Sequence, residues 1–255
     1  MIYDDYLTTA ELQRWILDVD VLWNSVNRDL ALTQPELLDQ VRDSALIESY
    51  FPLYTTNLVR ACWDQIDLTS VFSVQLYESY KHFYALNRYL EIVGYRPLTD
   101  EDLIEVRALN INNRIEDPIQ ELARYMISEH FAAYFFLRLS RQAHEPVLKQ
   151  ITASIAKDEF RHTQFAYDLL EPRVRNNLVR NNLIGNNLIG NSKDARHRVL
   201  EAGLNFRHVG ADVVPHVPVS CKNDIQAILT LDKKMHRLCG MSISEFSRKE
   251  IHAAY

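Results

Sequence analysis

The chain has 255 residues, of which 47% are hydrophobic and 24% charged, with a net charge of −6. That length can bury one large core, and only 6 Gly and 8 Pro favour long helices over a strand-rich fold. The mixed, mildly acidic charge gives no electrostatic footprint for nucleic acid or an anionic membrane surface, and no stretch of about 18 uncharged apolar residues is present to span a bilayer. The opening Met-Ile-Tyr-Asp-Asp-Tyr lacks the basic and apolar regions of a signal peptide. Cys62, Cys221 and Cys239 form no CxxC pair and leave one odd thiol in any disulfide scheme. The expectation is a reduced, cytoplasmic protein forming one helical domain over 1–255.

Leu12, Trp15, Ile16, Val19, Leu22 and Trp23 recur at helical spacing, so residues 9–29 read as an amphipathic helix capped by Thr8 or Thr9. Thr33-Gln34-Pro35-Glu36 opens a second helix reaching about Cys62, with a bend or restart expected at Pro52. Asp67-Leu68-Thr69-Ser70 starts a third, which Gly94 ends. Residues 95–116 form a long connection with a short helix begun by Thr99-Asp100. Asp117-Pro118 starts the fourth long helix, to about Ala143, and Glu145-Pro146 the fifth, to about Leu170.

Residues 176–191 contain a pentad repeat, Asn-Asn-Leu-Val-Arg followed by two copies of Asn-Asn-Leu-Ile-Gly. Five is not a helical face period, and paired asparagines favour turns, so this reads as expansion in a loop or irregular helix. Residues 193–207 read as helical and 211–220, with Pro215 and Pro218, as extended. Two closing helices, 224–238 and 242–253, are separated by Gly240.

Four of these helices carry a metal-capable group. Glu159 and His162 are three apart, one turn along the same helix face, so both can reach one metal ion. Glu129 lies on the preceding helix, just before the nearly all-round apolar run 131–137, where a carboxylate needs a reason. The earlier half repeats the pattern with Glu48, Glu78 and His82. The spacing from Glu48 to His82 is 34 residues and from Glu129 to His162 it is 33. Paired Glu and Glu-x-x-His helices hold two iron or manganese ions in ferritin-like bundles, so the expected fold is all-α, a ferritin-like bundle with a di-metal carboxylate centre between four core helices.

Three stretches also resemble the soluble acyl-carrier-protein desaturases. Ile47-Glu48-Ser49-Tyr50-Phe51-Pro52-Leu53-Tyr54 is similar to that family's Thr-Glu-x-x-Leu-Pro-x-Tyr segment. Tyr77-Glu78-Ser79-Tyr80-Lys81-His82 is similar to its Glu-Glu-Asn-Arg-His segment, and residues 155–162 to its Ile-x-x-Asp-Glu-x-x-His segment. The resemblance covers roughly 36–170, with 171–255 divergent. It implies a di-iron centre, O2 as co-substrate, an acyl carrier protein and a ferredoxin-type electron donor as partners, and a homodimer. It also implies metal ligands at Glu48, His82, Glu129, Glu159 and His162, with Glu78 the candidate for a sixth and no catalytic residue beyond the ligands. The implied activity is insertion of a double bond into a carrier-bound acyl chain.

Two positions depart from the family. Ser79 stands where a ligand Glu is expected, three before His82, and Ala132 stands where the family has a threonine. Glu78 lies about 40° from His82 around the helix, against about 60° for Ser79 on the other side. Glu78 therefore either replaces the lost ligand or keeps the outer place that Asp158 holds in the other half, orienting a histidine. Phe131, Phe135 and Phe136 are expected either to line a substrate channel or to pack as plain core. Arg161, Arg173, Arg175 and Arg180 are candidates for docking an acidic carrier. Two alternative functions stay open: a di-iron monooxygenase or N-oxygenase acting on a small metabolite, and a non-catalytic ferritin-like protein with an impaired metal site.

Overall fold

The computed structural model describes residues 1–109, 114–175, 192–214 and 224–253, which are helical, with no strand among them. The elements are α1 (Ile2–Gln13), α2 (Leu17–Asp20), α3 (Arg28–Leu32), α4 (Pro35–Ala61), α5 (Ile66–Val93), α6 (Asp100–Ala108), α7 (Pro118–Gln142), α8 (Pro146–Arg175), α9 (Ser192–Leu204), α10 (Ile225–Cys239) and α11 (Ile243–Ala253). Short 3₁₀ turns cover Trp23–Ser25 and Val209–Asp212. The pentad repeat at 176–191 and most of the stretch expected to be extended lie outside the described residues.

Local signals set most of these boundaries. Gly94 ends α5 at φ 73°, a left-handed conformation that favours glycine. Thr99 and Asp102 form a reciprocal capping box on α6. Asp117 accepts from the N–H groups of Ile119 and Gln120, with Pro118 in the first turn of α7. Pro52 does not restart α4, which runs through it. Arg107 of α6 donates to the Ser49 carbonyl there, satisfying an acceptor beside the proline. Residues 211 and 212, expected to be extended, belong to the 3₁₀ turn.

The N-terminal segment departs most from expectation. Instead of one helix over 9–29, α1 ends at Gln13 and Arg14 is extended. The apolar positions do not share a buried face: Leu12 is 81% exposed and Val19 69%, whereas Tyr6 is fully buried. One long-range and two local hydrogen bonds win over periodicity here. Trp15 leaves the helix to donate to Asp158, Ile16 N–H bonds Asp20, and Trp23 donates to the Leu17 carbonyl.

α4 packs on α5 and α7 on α8, two antiparallel hairpins whose partners meet as α5 against α8 and α4 against α7. The connection through α6 returns the chain to its starting end, so α7 runs parallel to α5. A single long crossover of this kind is one way to connect a four-helix bundle. The apolar core is divided in two. Leu68, Val71 and Phe72 of α5 join Leu122 and Tyr125 of α7 at one end, and Leu86, Tyr89 and Leu90 join Phe136, Leu139 and Ile151 at the other. Between them, all four helices turn polar at one level: Glu48 on α4, Glu78 to His82 on α5, Glu129 on α7, and Asp158 to His162 on α8.

The C-terminal segment closes one side. Val209 N–H donates to Ser128 Oγ of α7 at 3.0 Å, and a Cβ at Gly210 would stand 2.7 Å from Ile47 Cδ1, one residue before Glu48. His208 caps this turn through Nδ1, which accepts from Gly210 N–H at 2.9 Å. No described helix is long and apolar enough to cross a membrane.

Two outcomes follow. Leu90→Ala, at a fully buried α5 position, is expected to cost about 2–5 kcal/mol in urea unfolding. Burial, and then the Arg124 cation, lower the His208 pKa from 6.5 to about 4. Between those values the unfolded chain binds more protons than the folded one, so stability falls as the medium is acidified through that window. His208→Asn keeps an acceptor at the cap without titrating. It is expected to lessen the fall in melting temperature between pH 6.5 and 4.5, and an unchanged fall would refute the assignment.

Candidate metal centre

Each histidine of the polar layer is held by its outer nitrogen. His82 Nε2 lies 3.0 Å from Asp158 Oδ2, and His162 Nε2 lies 2.9 Å from Glu78 Oε2. An ionised carboxylate only accepts, so each bond places a proton on Nε2 and turns Nδ1 inward as a potential ligand. His82 Nδ1 stands 3.1 Å from Glu159 Oε1 and 3.6 Å from Glu48 Oε2, yet it makes no well-formed hydrogen bond among the described residues. His162 Nδ1 stands 3.0 Å from both Glu129 Oε2 and Glu159 Oε2.

Two ligand groups result. The ligating atoms of Glu48, His82 and Glu159 lie within 4.8 Å of one another, as do those of Glu129, Glu159 and His162, and all five side chains are buried. Glu159 belongs to both, one oxygen toward each histidine. These buried groups could hold metal ions. An oxygen-rich set with one imidazole per group suits hard or borderline divalent cations. The unbonded Nδ1 of His82 facing carboxylates fits the same occupant.

Burial and crowding of like charges set the protonation of the layer. Burial, and then repulsion from Glu159, push Glu48 up to about 7 and Glu129 well above the carboxylate range. Burial also opposes ionisation of Glu159, but His162 and His82 outweigh it and hold its pKa low. Burial disfavours charge on both imidazoles, but the surrounding carboxylates raise their pKa values well above the usual range. A divalent ion held by these groups would favour their deprotonated forms.

A second ring of contacts supports the two outer carboxylates. Asp158 accepts from Trp15 Nε1 at 2.8 Å and Arg161 Nη2 at 2.8 Å, with Lys81 Nζ at 3.3 Å. Glu78 accepts from Tyr6 OH at 2.7 Å and Arg161 Nη2 at 2.5 Å. The two halves match: an aromatic donor from the N-terminal segment, a buried cation, an outer carboxylate, a histidine. Burial disfavours the charge on Glu78, but the bond to His162 and the charges of His162 and Arg161 prevail, holding it at about 2. Lys81 also lies over the Trp15 ring, 4.5 Å from its centroid.

Of the six positions expected to bind metal, the structure brings Glu48, His82, Glu129, Glu159 and His162 into the two groups. It places Glu78 on the outer nitrogen of His162, in the orienting place that Asp158 holds opposite. Arg161 is not a surface docking residue: it is buried between Glu78 and Asp158, because α5 and α8 pack face to face at this level. Arg173 is half-buried and donates to the Leu169 carbonyl and Gln65. Arg175 is exposed and paired with Glu171, and Arg180 lies outside the described residues. Phe131 packs on Phe206 in one apolar half, and Phe135 and Phe136 pack together in the other. Sequence reasoning missed Tyr6, Trp15 and Lys81 as parts of the site. Lys81 carried a signal, as a basic residue beside His82 on a helix with few exposed positions.

No protein-family model, curated protein or solved structure matches the chain.

Asp158→Ala removes the partner of Lys81 and Arg161 while leaving both cations buried. It is expected to destabilise the protein by about 3–5 kcal/mol in denaturant unfolding. Asp158→Asn, which keeps an acceptor, is expected to cost less. Equal, small losses would show that the ring around Asp158 is not needed for folding.

Proposed function

We propose that this chain is a di-iron oxidoreductase that uses O2 to oxidise an organic substrate, with Glu48, His82, Glu129, Glu159 and His162 as the protein's metal ligands. The observation that carries the reading is the shared position of Glu159 between two histidines whose Nδ1 atoms both face inward. Iron bound there would supply redox capacity and coordination positions open to O2. Asp158 and Glu78 keep a proton on each outer nitrogen, which fixes the rings as ligands. Lys81 and Arg161 offset the charge of those carboxylates without entering either ligand group. The apolar halves above and below keep bulk water from the layer.

The motif resemblance makes a carrier-bound acyl chain the first substrate class, with desaturation as the reaction and an acyl carrier protein, a ferredoxin-type donor and a second copy of the chain as partners. A second reading, oxygenation of a small metabolite, is favoured by one observation. Arg161, a residue expected to dock an acidic carrier, is buried and already paired.

Anaerobic loading with Fe2+ is expected to give about two irons per chain. At a free iron concentration 100 times its dissociation constant, the linkage is worth about 2.7 kcal/mol, a rise in melting temperature of roughly 5–10 °C for a chain of this size. Glu159→Gln is expected to lose most of the iron and the rise. Wild-type protein that takes up one iron or none would sink the di-iron reading. With iron bound, O2 and a reductant, loss of two hydrogens from a carrier-bound chain supports the first substrate class. Gain of one oxygen on a small molecule supports the second.

A further inference from the structure

Position 79 carries a serine where the duplicated pattern calls for a carboxylate, and its surroundings suit an anion from outside the chain. Phe72, Gln75, Ser79 and His82 follow one another at intervals of three and four along α5 and span about 80° of its circumference. The stripe they form faces inward: all four are buried, Phe72 packs on Tyr125 of α7 with ring centroids 4.9 Å apart, and His82 faces Glu159. Gln75 Oε1 accepts from Tyr125 OH at 2.7 Å, whereas its Nε2, with the side chain fully buried, finds no hydrogen-bond partner among the described residues. A buried amide donor left open is costly and calls for an acceptor. It sits one turn from Ser79, and Tyr125 sits one turn before Glu129.

Charge points the same way. The layer buries five carboxylates, Glu48, Glu78, Glu129, Asp158 and Glu159, against two cations, Lys81 and Arg161, leaving three negative charges when both histidines act as neutral ligands. Two divalent ions would leave one positive charge in excess. A glutamate at 79 would bring the balance to zero. With serine there, one monoanion is missing, and a net buried charge is strongly disfavoured.

We propose that Ser79 and Gln75 frame a binding position for a small monocarboxylate that completes the metal centre. Serine Oγ stands where glutamate has Cγ, so what the shorter side chain lacks is one carboxylate, the charged end of a small monocarboxylate such as acetate. The Ser79 hydroxyl and the Gln75 amide supply neutral donors to the carboxylate, and the metal ions supply the charge it balances. The inference rests on the di-iron reading.

The test is equilibrium dialysis of the full chain against Fe2+ under anaerobic conditions, in acetate, in acetamide and in chloride of matched ionic strength. Acetate at ten times its dissociation constant is expected to strengthen apparent iron binding roughly tenfold, and acetamide, equal in shape but neutral, is expected to change nothing. Ser79→Ala removes one of the two donors and is expected to weaken the acetate response without abolishing it. Ser79→Glu is expected to bind iron in chloride alone and to lose the response. Should Ser79→Glu fail to fold, Ser79→Leu fills the position without charge and is expected to lose the response as well. Iron bound equally well in acetate and acetamide overturns the inference and leaves the di-iron reading standing, as does a full acetate response in the filled variants. Absence of iron in every buffer overturns both.

Discussion

The hydrogen bond from each histidine's outer nitrogen to a buried carboxylate is the constraint on which the middle of this molecule depends. It fixes the tautomer, turns the other nitrogen inward, and thereby sets where Glu48, Glu129 and Glu159 have to converge. Because Asp158 and Glu159 are neighbours on one helix, the outer anchor of His82 and the inner bridge between the histidines are set by the same turn of α8. The bundle then arranges itself around a charged slab, with an apolar half on either side.

That slab is an unstable thing to bury alone. Three carboxylates crowd two imidazoles in space where burial penalises every charge, and the outer carboxylates hold their charge only because Lys81 and Arg161 share the interior. A fold seeking stability alone would fill this layer with leucine, which often serves as well as a buried ion pair or better. The layer is therefore better accounted for as a group of side chains that could hold a cation than as a device for stability, and each histidine is flanked by an inner and an outer carboxylate.

How much of this was legible in the sequence depended on distance along the chain. The long helices and their ends followed from Thr99, Asp117, Pro118 and Gly94, because caps and turns act within a few residues. The convergence of Glu48, His82, Glu129, Glu159 and His162 followed from a duplicated spacing that reflects two matching hairpins. What was not legible came from partners far apart. Leu12, Val19 and Leu22 carry helical periodicity, but Trp15 leaves the helix for Asp158, 143 residues on. Arg161 looks like a surface charge until α5 brings Glu78 to it across 83 residues. Glu78 had two open places on its helix face, and the position of His162 distinguishes them.

The segment bearing Tyr6 and Trp15 also has a consequence for the order of assembly. Both aromatic donors leave the ribosome well before their acceptors: Glu78 follows Tyr6 by 72 residues, and Asp158 follows Trp15 by 143. Tyr6 can meet Glu78 once α5 is made, but Trp15 cannot find Asp158 until α8 exists, so the Trp15 end of this segment is the natural last piece to dock during synthesis. Until it does, Asp158 lacks its aromatic donor and keeps only His82, Lys81 and Arg161. The interval between completion of α8 and docking of Trp15 is thus the period in which the polar layer is covered on fewer sides than in the finished fold.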